Sequence, residues 1–279
     1  TPFLRFAKSS SLNSKEISDI VCKIADIVIC GGVRRSACIC FSNLSDPRMA
    51  SYKEGQFWLD NPQRALANIS VAYTEKPDMA AFIEEWKTLI QSGTGERGII
   101  NVECLPDEHM RMNPCAERAL RPQQLCNLSE VVVSAEITQN ELLKRVRLAT
   151  LLGTIQATLT QFNTRVLSKE WVNNTIEDAM LGVSLTGTSN KLWTPEELQE
   201  LRNHAIVSNE HYAKVLNINK AYGITCNKPS GTVSQVVGCS SGIHPDYSEY
   251  YIRRVRVAKV DPICQLLINQ GVPHNPEVG

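Results

Sequence analysis

Asn113-Pro114-Cys115-Ala116-Glu117 sets an amide and a carboxylate two positions either side of a cysteine, and a second cysteine, Cys126, follows eleven positions after the first. These residue types carry complementary chemistry. Asn113 donates and accepts hydrogen bonds, and a carboxylate such as Glu117 takes or returns a proton when it reaches a substrate hydroxyl. Cys115 offers one-electron or nucleophilic chemistry, and Cys126 a reducing thiol. A second candidate is Lys228-Pro229-Ser230-Gly231-Thr232, a small glycine-containing turn of the kind whose backbone N–H groups form an anion nest. Pro-Ser-Gly is also a generic turn.

Asn-Pro followed by two buried cysteines would be unremarkable in isolation, because free cysteine is among the most buried residue types. The tail Cys126-Asn127-Leu128-Ser129-Glu130-Val131 changes that reading. With Asn113 to Glu117 it resembles the finger loop of the adenosylcobalamin-dependent (class II) ribonucleotide reductases, which reads Asn-Pro-Cys-Gly-Glu and then Cys-Asn-Leu. Gly-x-Val-Arg-Arg-Ser-Ala near Arg34-Arg35, the strand pattern around Asn68 and Ser70, Gly95 to Asn101, Leu181 to Gly187, Lys228 to Thr232, Gly238 to His244 and Tyr251 to Arg256 are similar to further stretches of that family in the same order.

The resemblance implies a thiyl radical on Cys115, a ribose held and deprotonated by Asn113 and Glu117, and Cys126 as half of a reducing pair whose other cysteine lies upstream. It implies substrate phosphates at Pro229, Ser230, Gly231 and Thr232, and Asn68 and Ser70 on a strand facing the substrate. The activity implied is reduction of ribonucleoside triphosphates to 2′-deoxyribonucleotides with adenosylcobalamin, whose cobalt is held in the cofactor and not by protein ligands. A deoxynucleotide effector and a thioredoxin-like reductant are the implied partners. The implied fold is the ten-stranded α/β barrel of two half-barrels around a central finger loop, with residues 1–279 forming a partial catalytic barrel domain. An iron-dependent or glycyl-radical reductase on the same barrel, a non-catalytic nucleotide-binding relative, and simple thiol–disulfide exchange between Cys115 and Cys126 stay open. Ala116 stands where the family has glycine; if the position needs a positive φ, alanine costs about 1 kcal/mol or more.

Composition agrees with a reducing, cytoplasmic α/β protein. The 279 residues carry zero net charge, which argues against a nucleic-acid or membrane-surface partner read from charge. No window approaches a membrane span, and Thr1-Pro2-Phe3-Leu4-Arg5 lacks a signal-peptide pattern, so a fragment of a soluble protein is expected. The ten cysteines are scattered without framework spacing. Five histidines do not cluster with them, so no metal site is expected. Cys38-Ile39-Cys40 reads as strand packing.

The positioning elements are predicted from periodicity. Asn13-Ser14 can cap a helix running Ile17, Ile20, Val21, Ile24, Ile27 and Val28, stopped at Gly31-Gly32. Strands are expected over Val33–Phe41, Asn68–Tyr73, within Gly95–Asn101, Glu130–Val133 and Leu181–Gly187. Asp78 opens a helix with Phe82, Trp86 and Leu89 on one face, closed by Gly93. Thr138-x-x-Glu141 opens a long helix with a core stripe of Leu148, Leu152, Ile155, Leu159, Phe162 and Val166. Thr194-Pro195 starts another, and Asp261-Pro262 a short last one ending at Gly271. His244 reads as a structural residue.

Overall fold

The computed structural model describes residues 11–30, 33–34, 36–107, 109–252 and 254–276. The expectations placed on Gly31, Gly32, Arg35, Arg253 and residues 1–10 lie outside these. The chain divides into two compact units, Thr1–Glu108 with Ile252–Gly279, and His109–Tyr251.

In the first unit, Asn13 caps α1, Ser14–Ala25, through a reciprocal capping box with Glu16. The helix ends earlier than predicted, so Ile27 and Val28 fall outside it. Its stripe is also turned around: Ile17, Val21 and Ile24 are exposed, while Ser18, Asp19 and Cys22 face the core. The cause is a buried ion pair. Arg64 places Nε and Nη2 each 2.6 Å from the Asp19 carboxylate, to which Tyr52 Oη also donates at 2.8 Å. An interior charge is tolerated only when so paired, and the pair dictates which face turns inward.

Two short strands follow, β1 (Ile29–Cys30) and β2 (Val33–Arg34), paired antiparallel. The predicted long strand is therefore split, and its second half is β3, Cys38–Ser42. Short helices α2 (Pro47–Ala50) and α3 (Phe57–Asp60) lead to β4, Ala67–Tyr73. β4 pairs in parallel with β3 on one side and with β5, Gly98–Asn101, on the other. Cys38 and Cys40 pack on the core of Cys22, Met49, Tyr52, Ala67 and Ile69, as strand packing requires. Between β4 and β5 runs α4, Met79–Ser92, with Asp78 at its N-cap and Gly93 left-handed (φ 66°) at its C-cap. Phe82 and Leu89 are half-buried as predicted, but Trp86 is exposed while Glu85 beside it is buried. Arg97 takes that inward place with it, bonding both Glu85 oxygens at 2.7 and 2.8 Å.

In the second unit, β6 (Arg111–Met112) and β7 (Ala119–Leu120) form an antiparallel hairpin. β8 runs Asn127–Val132, and after α5 (Gln139–Gln156) and α6 (Lys169–Asp178) the chain forms β9, Leu181–Thr186, parallel to β8. A bridge from Val183 to Thr225 extends the parallel order past β9. Between these lies α7, Pro195–Leu216, opened by a Thr194–Glu197 capping box. α8 (Val233–Val236) is a single turn. In residues of the first unit, α9 (Pro262–Asn269) is capped by Asp261 and followed by left-handed Gly271.

The expected core stripe on α5 is corrected by the structure. Leu148, Leu152 and Ile155 are exposed, and Leu159 and Val166 lie beyond the helix and are exposed too. The buried face carries Leu142, Val146, Ala149, Thr150, Gly153 and Thr154. Thr150 and Thr154 return their hydroxyl protons to carbonyls one turn back, and Asn209 of α7 donates to Thr154 Oγ1 at 3.1 Å. Small side chains satisfied in this way let α7 approach closely. Periodicity alone favours the leucine face because it does not count satisfied hydroxyls as core.

Candidate active site

The hairpin β6–β7 carries Asn113 to Arg118 at its tip. Asn113 N–H donates to the Arg118 carbonyl, and its side-chain Oδ1 accepts the N–H groups of Glu117 and Arg118 at 3.1 and 3.0 Å. The asparagine thus ties the tip together from within. Cys115 is left exposed between them. Ala116 has φ 59°, the left-handed conformation that glycine takes without cost.

From β7 the chain reaches Cys126 through a pinned turn. Asp178, at the end of α6, takes Arg121 Nε at 2.9 Å and also the Gln124 amide. Cys126 then sits at the mouth of β8, because that strand begins at Asn127 and not at Glu130 as predicted. Burial pushes its thiol up to about 12, with Cys226 and Glu117 adding to the rise and Arg118 opposing it. Cys226 is likewise pushed up by burial to about 11. Both sulfurs crowd Gly182 of β9, where a Cβ would meet Cys226 Sγ at 3.0 Å and Cys126 Sγ at 3.3 Å. Their backbones flank β9 on opposite sides, so their Cα atoms are separated by about two strand spacings, beyond the roughly 7 Å limit for an unstrained disulfide. They are thiol neighbours that share a hydrophobic floor.

Cys115 is raised as well, by desolvation first and by the Glu117 carboxylate second, against a pull downward from Lys228. Glu117 Oε2 and Arg118 Nε are buried without a hydrogen-bond partner among the described residues. Groups of that kind are costly unless something else completes them.

Lys228 N–H donates to Ser184 Oγ of β9 at 2.9 Å, and Ser230 is buried with φ 48°. Gly242 presses against this turn so closely that a Cβ would lie 2.3 Å from the Lys228 carbonyl oxygen. His244, two residues on, is exposed.

The second unit therefore brings Asn113, Cys115, Glu117, Cys126 and Pro229 to Thr232 into one neighbourhood. Asn68 and Ser70 lie in the first unit, on the same face of β4, exposed and half-buried respectively. Four residues in the neighbourhood escaped the sequence reading. Arg118 donates to the Thr225 carbonyl at 3.0 Å and lies across Gly223, where a Cβ would fall 1.4 Å from Nη2. Cys226 and Ser184 line the same strands, and Glu130 holds the 228–232 turn. The signal for Glu130 was available, since period-two alternation from Cys126 puts it on the cysteine's face.

The arrangement sets an exposed thiol on a hairpin tip, a carboxylate beside it, and a second thiol at a parallel strand's mouth. No protein-family model matches the chain. Among solved structures, a B12-dependent (class II) ribonucleotide reductase superposes with a TM-score of 0.57 at 21% identity, covering 85% of this chain and 37% of that one. The likeness establishes a mixed α/β fold with parallel sheets, similar to that reductase.

The sequence is similar across nearly its whole length to adenosylcobalamin-dependent ribonucleoside-triphosphate reductases. A protein of Dictyostelium discoideum named a probable enzyme of that kind is 28% identical over 95% of this chain. Relatives so named in Lactobacillus gasseri and Euglena gracilis are 25% and 26% identical over 96% and 93% of it. The chain spans 36% to 41% of these curated relatives' length. None of the nine cysteines whose side chains are described is in a disulfide, and among the described residues no helix is long and apolar enough to cross a membrane.

Proposed function

We propose that the protein containing this chain reduces ribonucleoside triphosphates to 2′-deoxyribonucleotides for DNA synthesis, with adenosylcobalamin, in the cytoplasm. The observation that carries this reading is the exposed Cys115 at a hairpin tip, with Glu117 two residues on and Cys126 at the adjoining strand. The chain would contribute part of a ten-stranded barrel of two half-barrels, with residues 1–279 as a partial catalytic domain and β6–β7 as its finger. A deoxynucleotide effector and a thioredoxin-like reductant would act on the whole protein.

Exposure of Cys115 fits a one-electron partner that approaches from outside the loop, and adenosylcobalamin when bound supplies that oxidation. The Cys115 sulfur radical then takes the ribose 3′-hydrogen. Glu117 accepts the 3′-hydroxyl proton, a role supported by its buried oxygen, which has no hydrogen-bond partner among the described residues. Asn113 keeps tip and carboxylate in register. One thiol proton lets the C2′ oxygen leave as water, Cys126 and a second thiol give two electrons and the hydrogen added at C2′ as they become a disulfide, Glu117 returns its proton to the 3′ oxygen, and Cys115 returns the hydrogen to C3′. Raised thiol pKa values keep Cys126 protonated, so it can deliver hydrogen as well as electrons. The 228–232 turn would hold the phosphates, and Asn68 and Ser70 would face the substrate.

The test is an assay of the full-length protein. Deoxynucleotide formation should require adenosylcobalamin and vanish in Cys115→Ser, which should still bind nucleotide. Dependence on a separate radical-generating subunit would overturn the cobalamin assignment. Glu117→Gln keeps shape but loses the base, and should lower reduction about 10²–10⁴-fold with nucleotide affinity near normal. Undiminished reduction would remove Glu117 from the reaction.

A further inference from the structure

We infer that Glu130 is an internal counter-ion of the 228–232 turn, and that a bound phosphate must take Lys228 away from it. The inference rests on the reading of that turn as the phosphate site. Glu130 lies on β8 in register with Ser184 of β9, the residue whose Oγ receives the Lys228 N–H. Its side chain is 9% exposed, and its two oxygens divide their work. Oε2 accepts the Ser230 hydroxyl at 2.5 Å. Oε1 lies 3.1 Å from Lys228 Nζ, yet it is buried without a properly directed hydrogen bond, so charge alone holds it there.

Two consequences follow for a ligand. Ser230 has a single hydroxyl proton and gives it to Glu130, so its hydroxyl is no donor for a phosphate while that bond lasts. Ser230 also has a left-handed backbone, with φ 48°. Lys228, by contrast, keeps 28% of its side chain exposed and is within electrostatic reach of Cys115. An ammonium paired on its buried side and open on the other can exchange one anion for another. A carboxylate already in place competes with the incoming phosphate at the high effective concentration of any tethered group. Glu130 is thus a positioning residue that sets how strongly an anion must bind to settle on the turn.

The experiment measures binding of inorganic tripolyphosphate to the full chain by calorimetry at fixed ionic strength, without nucleotide or cobalamin. Glu130→Gln keeps an acceptor for the Ser230 hydroxyl and removes the competing charge, so affinity should rise roughly tenfold. The gain should disappear when Lys228→Gln is added, because the double-mutant cycle isolates the contested pair. Unchanged or weaker binding in Glu130→Gln, or a gain that persists without Lys228, overturns the inference. A second measurement needs no substitution: the resonance of ¹³C-dimethylated Lys228 in the wild-type protein should move as tripolyphosphate saturates, and a resonance that stays put overturns the exchange of partners. Tripolyphosphate that binds neither wild type nor Glu130→Gln would remove the phosphate-site reading itself, whereas binding indifferent to Glu130→Gln removes only the role of Glu130.

Discussion

Ala116 shows what a single residue costs. Its φ of 59° lies in the region where a Cβ crowds the following carbonyl, at about 1–2 kcal/mol. Ala116→Gly removes that strain but adds unfolded-state entropy worth about 0.5–1 kcal/mol. The net expectation is a small gain, seen as a rise of about 1–3 °C in the thermal midpoint; a fall would mean the alanine methyl makes a contact worth more than its strain. The thiols make a second prediction at this scale. Cys126 and Cys226 titrate near 12 and 11 when folded, against an ordinary value of 9.0. The folded state then holds protons that the unfolded state releases, so their contribution to stability is intact below about pH 9 and is lost as pH rises towards 11 or 12. Their alkylation should be slow at neutral pH and climb steeply above pH 9, while exposed Cys104 reacts first. Time-resolved mass spectrometry of iodoacetamide adducts checks this, and equal rates at pH 7.5 would contradict the burial of Cys126.

Among the elements, the first unit depends on charges placed where a simple pattern puts apolar residues. α1 turns Asp19 inward because Arg64, itself buried, needs its carboxylate. Asp19→Asn leaves that guanidinium short of its counter-charge and should destabilise the unit by about 3–5 kcal/mol. Urea unfolding of the variant measures it, and a loss under 1 kcal/mol would show that the Tyr52 carbonyl and ring can hold Arg64 unaided. The Arg97–Glu85 pair beside β5 follows the same logic. Caps, by contrast, need no tertiary partner. Asn13, Asp78, Thr138 and Thr194 each accept the expected backbone N–H, because a side chain three residues from its target meets it by local geometry alone.

For the whole molecule, balanced composition has a physical consequence. Lysine plus arginine equal aspartate plus glutamate at 29 each, and the sequence pI is about 6.9. Repulsion between copies is then least near neutral pH, where Leu148, Leu152, Ile17 and Ile24 are also exposed. Solubility of the isolated chain should pass through a minimum close to pH 7 and improve on either side. Turbidity across pH 5 to 9 tests it, and a minimum displaced to pH 5 would point to a surface charge distribution unlike the composition.

What the sequence determined by itself was local and ordered: the caps, the parallel-strand segments, the Asn113–Glu117 and Lys228–Thr232 motifs, and their sequence order along the chain. Each depends on residues within a few positions of one another, so spacing is enough to reveal it. Which face of α1 and α5 is buried, that β8 starts at Asn127 and so sets Cys126 at its mouth, and that Arg118, Ser184 and Cys226 join the candidate site were decided only by tertiary structure, as were the Lys228 and Ser230 partners of Glu130, for which alternation from Cys126 shows the face alone. Those facts turn on partners far away along the chain. Arg64 meets Asp19, Asn209 meets Thr154, and Ser230 meets Glu130 across separations of 45, 55 and 100 residues. A buried charge or hydroxyl is permitted only when such a partner arrives, and no periodicity in the sequence says that it will.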